Sequence, residues 1–533
     1  MSDPIIIVGA GASAVHAAQT ALEAGRAVTM LDVGAQPSPT ALPGASLSQL
    51  KADLEDPVSY FLGDDFSSLV LPSNDSEYYG LPPSKAYVFR DSPGFEVEAK
   101  GMSPLWSSAA GGLGQAWTAG CYPFSDGELE SFPFTWNEIE PAYSEVARRI
   151  GVSGSTSDDL SAFMPAHDAI HTPIVLDAHS EQLLGHYTRN RGRLNAKHKL
   201  VLGRARIASL SRTHQNRPAC APCGRCLWGC PTQSIYTPSI TLDLCQRSPN
   251  FRYVGGLRVE RFEFDDANRI KRVVARKAKT GEELTFDASL LVLGAGALGS
   301  ARILLKSLDH AGVRAELDGL MDNRQALMPF VNLRRIGAVF DDRSYQYNQL
   351  AIGAPGERPF EYVHGLLTTL TTALIHPLAQ TLPGGIRMAA DMFRNLHGAL
   401  GMVNINFADT RRPDNRVTID GERLLIQYKP DPDEMVRVKP AISKFRSFLL
   451  SLGCVAPPSM TRLRPIGASV HYAGLTPMMN AGGDYTTDRS GRCRPFENLI
   501  VVDGATFPAL PAKNLTFTLM ANATRIMREV LTP

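Results

Sequence analysis

The sequence predicts an α/β chain in which a nucleotide-binding domain on a parallel sheet is interrupted by an inserted α+β domain. Three observations carry that reading. Residues 4–8 form an apolar run that passes through a Gly-x-Gly-x-x-Ala turn into a helix and then into a second apolar strand ending on an acid. A second buried strand followed by glycines stands at 290–300. Sequence of the same nucleotide-domain type resumes at 498–505, after a stretch at 310–455 of different character.

The opening unit comes first. Consecutive β-formers at 5–8 read as a parallel strand buried on both faces. Gly9 and Gly11 allow a tight turn and a close approach to a pyrophosphate, and Ala14 permits close packing of helix on strand. The helix expected over 13–24 offers its N-terminal amides to the phosphates, and Gly25 ends it. Asp32 closes the second strand, 28–32, at the distance where an acid accepts ribose hydroxyls.

Composition narrows the partners. The chain has 533 residues, is 44% hydrophobic and carries a formal net charge of +1. That length allows two domains or one large composite domain. Balanced charge without a basic run argues against a nucleic-acid partner. No segment reads as a membrane-spanning helix. Residues 362–386 come nearest, lacking Asp, Glu, Lys and Arg, but contain Pro377 and Pro383. They read as a buried helix and loop near a substrate pocket, with a membrane-touching lid as the alternative. The first residues show no basic region or cleavage site, so a cytoplasmic location is expected, with export alongside a partner carrying its own signal as the alternative.

Further along, residues 35–88 are rich in Pro, Ser, Gly and Asp and read as long loops with short helices. The cluster at 107–117, centred on Gly111 and Gly112 beside Trp117, suits a loop lying flat against a large planar group. Residues 136–150 read as a helix with Thr135 as N-cap, Glu138 completing a capping box and Gly151 as the stop. Arg189, Arg191, Arg193, Lys197 and Lys199 form a basic patch that reads as solvated surface, with a partner-docking face as the alternative. Partial alternation at 253–264 and 270–277 predicts a β-meander. Residues 290–294 form a strand that turns through Gly294 into a helix at 301–308. Within 310–455, strands are expected at 330–333, 402–407, 416–418 and 423–428, and a helix at 433–452. The strand at 498–502 ends on Asp503 and Gly504, and a last helix at 515–530 has Asn514 and Thr516 as its expected cap. The domains are therefore expected at 1–310, 311–455 and 456–533, the first and last forming one body.

In this order, the opening motif, Gly111 and Gly112, the 291–300 strand and turn, the segment around His471, and the run from 499 through Asn514 resemble the glucose–methanol–choline (GMC) oxidoreductases. The likeness spans nearly the whole chain. It implies a Rossmann-type FAD domain with an inserted substrate-binding domain, FAD bound covalently or not, and oxidation of an alcohol to a carbonyl. The family's catalytic histidine falls on His471 and its His/Asn partner on Asn514. Val259 is the nearest match to the valine whose backbone meets the adenine. One departure stands at 474–479, Gly-Leu-Thr-Pro-Met-Met, where the family usually has Gly-Thr and Met-Gly. The chemistry suits the residue types. Hydride leaves an alcohol carbon as the hydroxyl proton departs, a neutral imidazole can take that proton, and a carboxamide can orient the oxygen. Asp503 is expected to accept from the flavin's ribityl chain or from nearby amides.

The cysteine run is the sharpest local signal. Cys220, Cys223, Cys226 and Cys230, followed by Pro231, have the two-two-three spacing of a bacterial iron–sulfur ligand loop (220–231). The expectation is a 3Fe–4S or 4Fe–4S cluster, with zinc on four thiolates as the rival and disulfides as a weaker one. Cys121, Cys245, Cys454 and Cys493 are scattered and read as structural, and His16 as packed or solvated. Bacterial sugar and alcohol dehydrogenase subunits within the GMC family carry such an insert. That likeness implies electrons leaving the flavin singly for a partner such as a cytochrome subunit. The sequence therefore reads as an FAD-dependent alcohol or sugar dehydrogenase. The alternatives are an oxidase whose cysteine loop only braces the structure, a flavin-dependent lyase, and a redox-silent binding protein.

Overall fold

Apolar side chains on both faces of the opening strand decide the architecture. Ile5–Val8 is buried at every position and lies at the centre of a five-stranded parallel sheet. The sheet order is Leu499–Val501, Leu291–Leu293, Ile5–Val8, Val28–Leu31, Phe251–Val254. Successive side chains of a strand point to opposite faces. Ile5 and Ile7 accordingly enter one core, with the helices Ala12–Glu23, Trp136–Ile150 and Thr516–Leu531. Ile6 and Val8 enter another, with the helix Ala297–His310 and the strands Leu257–Phe264 and Ile270–Lys277. The structure is a computed structural model that describes residues 4–37, 44–66, 82–89, 94–165, 168–370 and 385–532.

The inserted part is a seven-stranded antiparallel sheet. Its path runs Cys454–Val455, Gln325–Asn332, Leu400–Asn406, Val363–Thr369, Leu350–Ala354, Val201–Arg204, with Arg462–Leu463 pairing off the path. Period-two alternation gives this sheet two different faces. Ala326, Met328, Leu367, Val403 and Ile405 pack outward under the helix Glu434–Ser451, through its Phe445, Phe448 and Leu449. Gln325, Leu327, Thr368, Met402 and Asn404, on the intervening positions, face the nucleotide-binding body and line a cavity there.

Several expectations need correction. Residues 251–254 are not part of the meander but form the edge strand of the parallel sheet, paired with Val28–Leu31. The meander proper is Leu257–Phe264, Ile270–Lys277 and Glu283–Asp287. Val201–Arg204 lies within the expected first segment, 1–310, yet pairs with Leu350–Ala354 in the inserted sheet. Chain order is therefore not domain order at that point. The 362–386 stretch opens as the strand Val363–Thr369 rather than a helix, and a helix follows at Ile386–Leu396. The rest of that expectation, at 371–384, lies outside the described residues. Among the described residues no helix is long and apolar enough to cross a membrane. The basic residues of the helix Ala178–His198 and its C-cap Lys199 point to solvent, as a surface patch would. His16, in contrast, is fully buried against the Tyr236 hydroxyl, 3.1 Å from Nε2.

Candidate active site

Two glycine turns build one end of the cavity. Gly9 has φ +93, and a Cβ there would stand 2.7 Å from the Gly294 carbonyl oxygen, so only glycine lets the two parallel strands deliver their turns side by side. A Cβ on Gly294 would in turn come within 2.8 Å of the Ala14 side chain, which is the close helix-on-strand packing expected of Ala14. Ala14 itself is buried and does not line the cavity. A Cβ on Gly112 would lie 3.5 Å from Gly11 Cα, so the 107–117 loop rests directly on the opening turn. That loop is fastened by Ala35 N to Ser108 O at 2.8 Å and Ala110 N to Ala35 O at 2.9 Å.

The cavity, about 660 Å³, runs from these turns to the inserted sheet. Gly9, Gly11, Asp32, Gly111, Gly112, Val259, Gly294, Asp503, Gly504, His471, Asn514 and Thr516 all line it. Asp32 receives the Tyr253 hydroxyl at 3.0 Å. Burial raises its carboxyl to about 7, against the opposing pull of that hydroxyl and the amides of Ala10, Val33 and Gly34. Val259 lines the cavity at a break in strand register between Val259 and Arg261. Asp503 accepts from the Ala505 amide at 3.0 Å and from the Ser300 hydroxyl at 2.5 Å. It therefore holds a neighbouring turn and, with Gly504, forms part of the cavity wall.

At the far end stand His471 and Asn514. His471 follows a turn in which Val470 has φ +56. The Ser469 hydroxyl accepts from the His471 amide at 2.9 Å and donates to the Asp322 carboxylate, which also receives the Gly467 amide at 2.7 Å. The imidazole Nδ1 lies 3.0 Å from Asn323 Oδ1. Burial, and then the nearby Arg464 cation, push the His471 pKa down to about 4, so the ring is neutral at neutral pH. The expected cap is corrected: neither Asn514 nor Thr516 caps the last helix by its side chain, whose N-cap is Leu515. Asn514 Oδ1 is buried without a hydrogen-bond partner among the described residues. A buried polar atom left unsatisfied costs stability, so its acceptor position on the cavity wall is suited to a ligand donor. Lys513, one residue earlier, is anchored by an ion pair to Glu128, by the Pro123 carbonyl at 3.0 Å and by the Phe163 carbonyl at 2.5 Å.

The residues present fit an extended dinucleotide: glycine cradles at the turns, an acid at the end of the second strand, and a neutral imidazole and an open amide oxygen at the other end. Sequence reasoning missed Tyr253, Ser300, Asp322, Asn323, Ser469 and Arg464. Tyr253, Asp322, Asn323 and Arg464 reach the site only because separate segments meet there, whereas Ser469 stands two residues before His471 and Ser300 closes the 290–300 run.

The metal expectation meets a different outcome. Among the described residues no group of three or more His, Cys, Asp or Glu is arranged to hold a metal ion. Cys220, Cys223, Cys226 and Cys230 lie in one loop, unpaired as disulfides. The side chains between the cysteines tie that loop to other segments. Arg225 is fully buried, donating to the Ala45 carbonyl and the Tyr60 hydroxyl, both at 3.1 Å. Trp228 packs edge-on to Phe61. The Cys226 carbonyl is taken by Tyr347 at 2.9 Å and Lys85 at 3.3 Å. Burial, reinforced by the neighbouring thiols, raises the Cys220 and Cys226 pKa values, Cys220 to about 11. The other four cysteines are buried singly, as expected of structural residues.

Comparison with known proteins agrees with the geometry. The family model described as GMC oxidoreductase matches residues 411–523. The chain is 26% identical over 435 residues to 6'''-hydroxyparomomycin C oxidase of Streptomyces lividus, covering 76% of this chain and 73% of that one. Among solved structures it is similar to pyridoxine 4-oxidase from Mesorbium loti, with a TM-score of 0.59, 14% identity and 99% of each chain covered. It is also similar to formate oxidase of Aspergillus oryzae RIB40, with a TM-score of 0.63, 11% identity, and 99% and 98% coverage of this chain and that one. An FAD-dependent oxidoreductase from Chaetomium thermophilum superposes with a TM-score of 0.60 at 13% identity over 99% of both chains. These structural likenesses establish the fold.

Proposed function

On the premise that this chain is a GMC-type oxidoreductase in its C-terminal segment and its fold, we propose that it is an FAD-dependent enzyme oxidising a hydroxyl of an alcohol or sugar to a carbonyl. The observation that carries this reading is the meeting of His471 and Asn514 on one cavity with the Gly9, Gly11 and Asp32 cradle. The cradle residues would hold FAD, with Asp32 and Tyr253 near its ribose and Gly294, Asp503 and Gly504 along its length. FAD, when bound, supplies the hydride acceptor.

The chain's own residues do the rest. His471 is neutral and accepts the hydroxyl proton. Asn514 donates an amide N–H to the substrate oxygen, which leaves the hydroxyl proton directed at the imidazole. The inner face of the inserted sheet, with Gln325, Thr368 and Asn404, offers amide and hydroxyl groups for further hydroxyls of the substrate. The relative named as a hydroxyparomomycin oxidase supports a hydroxyl-bearing substrate. Oxygen is the favoured final acceptor, because that relative and two of the fold neighbours are named as oxidases.

Anaerobic mixing of the flavoprotein with a panel of primary alcohols, polyols and sugars tests this. A bleached flavin band with one of them, and peroxide in equal amount when air returns, is the expected result. A panel that never bleaches the flavin would instead favour a lyase or a redox-silent protein. His471→Ala should keep the flavin and lose about 10²–10⁴-fold in turnover; full turnover would sink the catalytic assignment.

A second reading is a dehydrogenase passing electrons to an external acceptor such as a cytochrome, with an iron–sulfur cluster on Cys220, Cys223, Cys226 and Cys230. The cysteine spacing supports it, while the described loop does not assemble those four as ligands. Iron and acid-labile sulfide on anaerobically purified protein separate the two readings. About three or four irons per flavin would move the dehydrogenase to the front, and their absence leaves the loop as a brace.

A further inference from the structure

One side of the His471 ring is held by a residue that no motif singles out. Asn323 follows the short strand Met321–Asp322 and is 1% exposed. Its amide nitrogen has two neighbours, the carbonyl oxygens of Phe407 at 2.8 Å and Pro511 at 3.1 Å. Backbone carbonyls only accept, so that side of the carboxamide must be the NH₂. The flipped amide would set an oxygen against two oxygens. Oδ1 therefore faces His471 Nδ1, at 3.0 Å. A carboxamide oxygen also only accepts, so Nδ1 must carry a hydrogen. A neutral imidazole has a single N–H, which leaves the Nε2 lone pair free. His471 lines the cavity.

We propose that Asn323 is the positioning residue that fixes His471 in the Nδ1–H tautomer, so that Nε2 meets the substrate hydroxyl as a base. The inference rests on the reading of His471 as the proton acceptor. Its consequence is a balanced proton path. The hydroxyl proton passes to Nε2, and the imidazolium keeps its Nδ1–H on Asn323 Oδ1, so nothing has to rotate during the step.

The same carboxamide also sets geometry. Phe407 follows the inserted strand Leu400–Asn406, and Pro511 lies three residues before Asn514. One buried side chain thus ties the His471 ring, the inserted sheet and the loop carrying Asn514. The charged and titratable groups around the ring are Arg464, which disfavours its protonation, Asp322, which acts on the His471 backbone through Ser469, and Asp409, whose carboxylate accepts from the Asp322 amide at 3.1 Å. None of these bonds Nδ1, so the tautomer is assigned to Asn323.

Imidazole ¹⁵N shifts of the holoenzyme, labelled in histidine, test this without turnover. The His471 resonances are identified by their loss in His471→Gln. The expected pattern at neutral pH is a protonated Nδ1 and an unprotonated Nε2; the reverse pattern, or an even mixture, overturns the proposal. Asn323→Leu, checked for retained flavin absorbance, should show mixed tautomers. Its kcat should fall about tenfold or more while KM changes little. An Asn323→Leu enzyme with the wild-type ¹⁵N pattern would also overturn it. If the wild-type pattern is as expected but His471→Ala turns over normally, the tautomer assignment stands and the catalytic reading of His471 falls.

Discussion

His471 is neutral at neutral pH because its surroundings deny it a charge, the state the proposed base requires. Burial, with Arg464 beside it, brings its pKa to about 4, and the base is the unprotonated form. The expected pH profile of kcat/KM has no limb from this group between pH 8 and about 5, and falls about tenfold per unit below about 4. A limb near the ordinary histidine value of about 6.5 would show the ring to be solvated. The sign for stability follows from the same shift. In the window between about 4 and 6.5 the unfolded chain binds the proton and the folded one does not, so stability is lost as pH falls through it. The displacement corresponds to about 3 kcal/mol, and His471→Gln should therefore show a shallower acid side in a series of thermal melts. Next to Asn514, Lys513 and Glu128 form an ion pair in which both side chains are 1% exposed. Lys513→Met leaves the Glu128 carboxylate without its partner, and about 3–5 kcal/mol of destabilisation is expected. Calorimetry would read it, and a melt within a degree of wild type would refute it.

At the scale of elements, the cofactor cradle is a matter of backbone approach. The turn after Ile5–Val8 and the turn after Leu291–Leu293 come so close that a Cβ on Gly9 would lie 2.7 Å from Gly294 O. The φ of +93 adds strain for any other residue. Gly9→Ala is expected to yield protein that is folded by circular dichroism yet largely free of flavin. Normal flavin content in that variant would mean that the two turns can separate, and that the cradle is looser than the packing implies. The inserted sheet shows the complementary arrangement. Ala326, Met328, Val403 and Ile405 fill the core under Glu434–Ser451, while the alternate positions Gln325, Leu327, Met402 and Asn404 face the cavity. A one-residue slip in register would exchange the two sets, so the core sequence also fixes which side chains meet the substrate.

For the whole molecule, the cavity lies between elements distant in sequence: the opening turns, the 107–117 loop, the inserted sheet, and the segments bearing His471 and Asn514. A ligand filling it binds the folded state and not the unfolded chain. Stripping FAD should therefore lower Tm, and titrating it back should raise Tm with concentration, by about 2.7 kcal/mol of stabilisation at a hundredfold excess over Kd. A Tm indifferent to FAD would mean that the cavity is not the cofactor site. Proteolysis should follow the same order, with the flavin-free protein cut faster, since the parts joined across the cavity open more readily when it is empty.

Much of this was legible in the chain itself. A strand–turn–helix with glycines at 9 and 11 and an acid at 32 has few physical meanings, because only such a turn brings backbone amides to a pyrophosphate. The capping box of Thr135 and Glu138 was equally readable, since local hydrogen bonds need only neighbours in sequence. The cysteine run shows the limit of a local signal for a related reason. Its spacing permits four sulfurs to surround a centre, but permission is local, whereas burial of Arg225 and Trp228 against segments far along the chain decides how the loop folds. The same limit hid Val201–Arg204, whose partner strand is Leu350–Ala354. Asn323 is the clearest case. Its sequence neighbours give no hint of a role. Only tertiary structure brings Phe407, Pro511 and His471 around one carboxamide, and with them fixes which ring nitrogen is free to act. Residue type and spacing pointed to a dinucleotide-like group and to His471 as the histidine beside it; long-range packing alone decided the orientation, protonation and neighbours of that histidine.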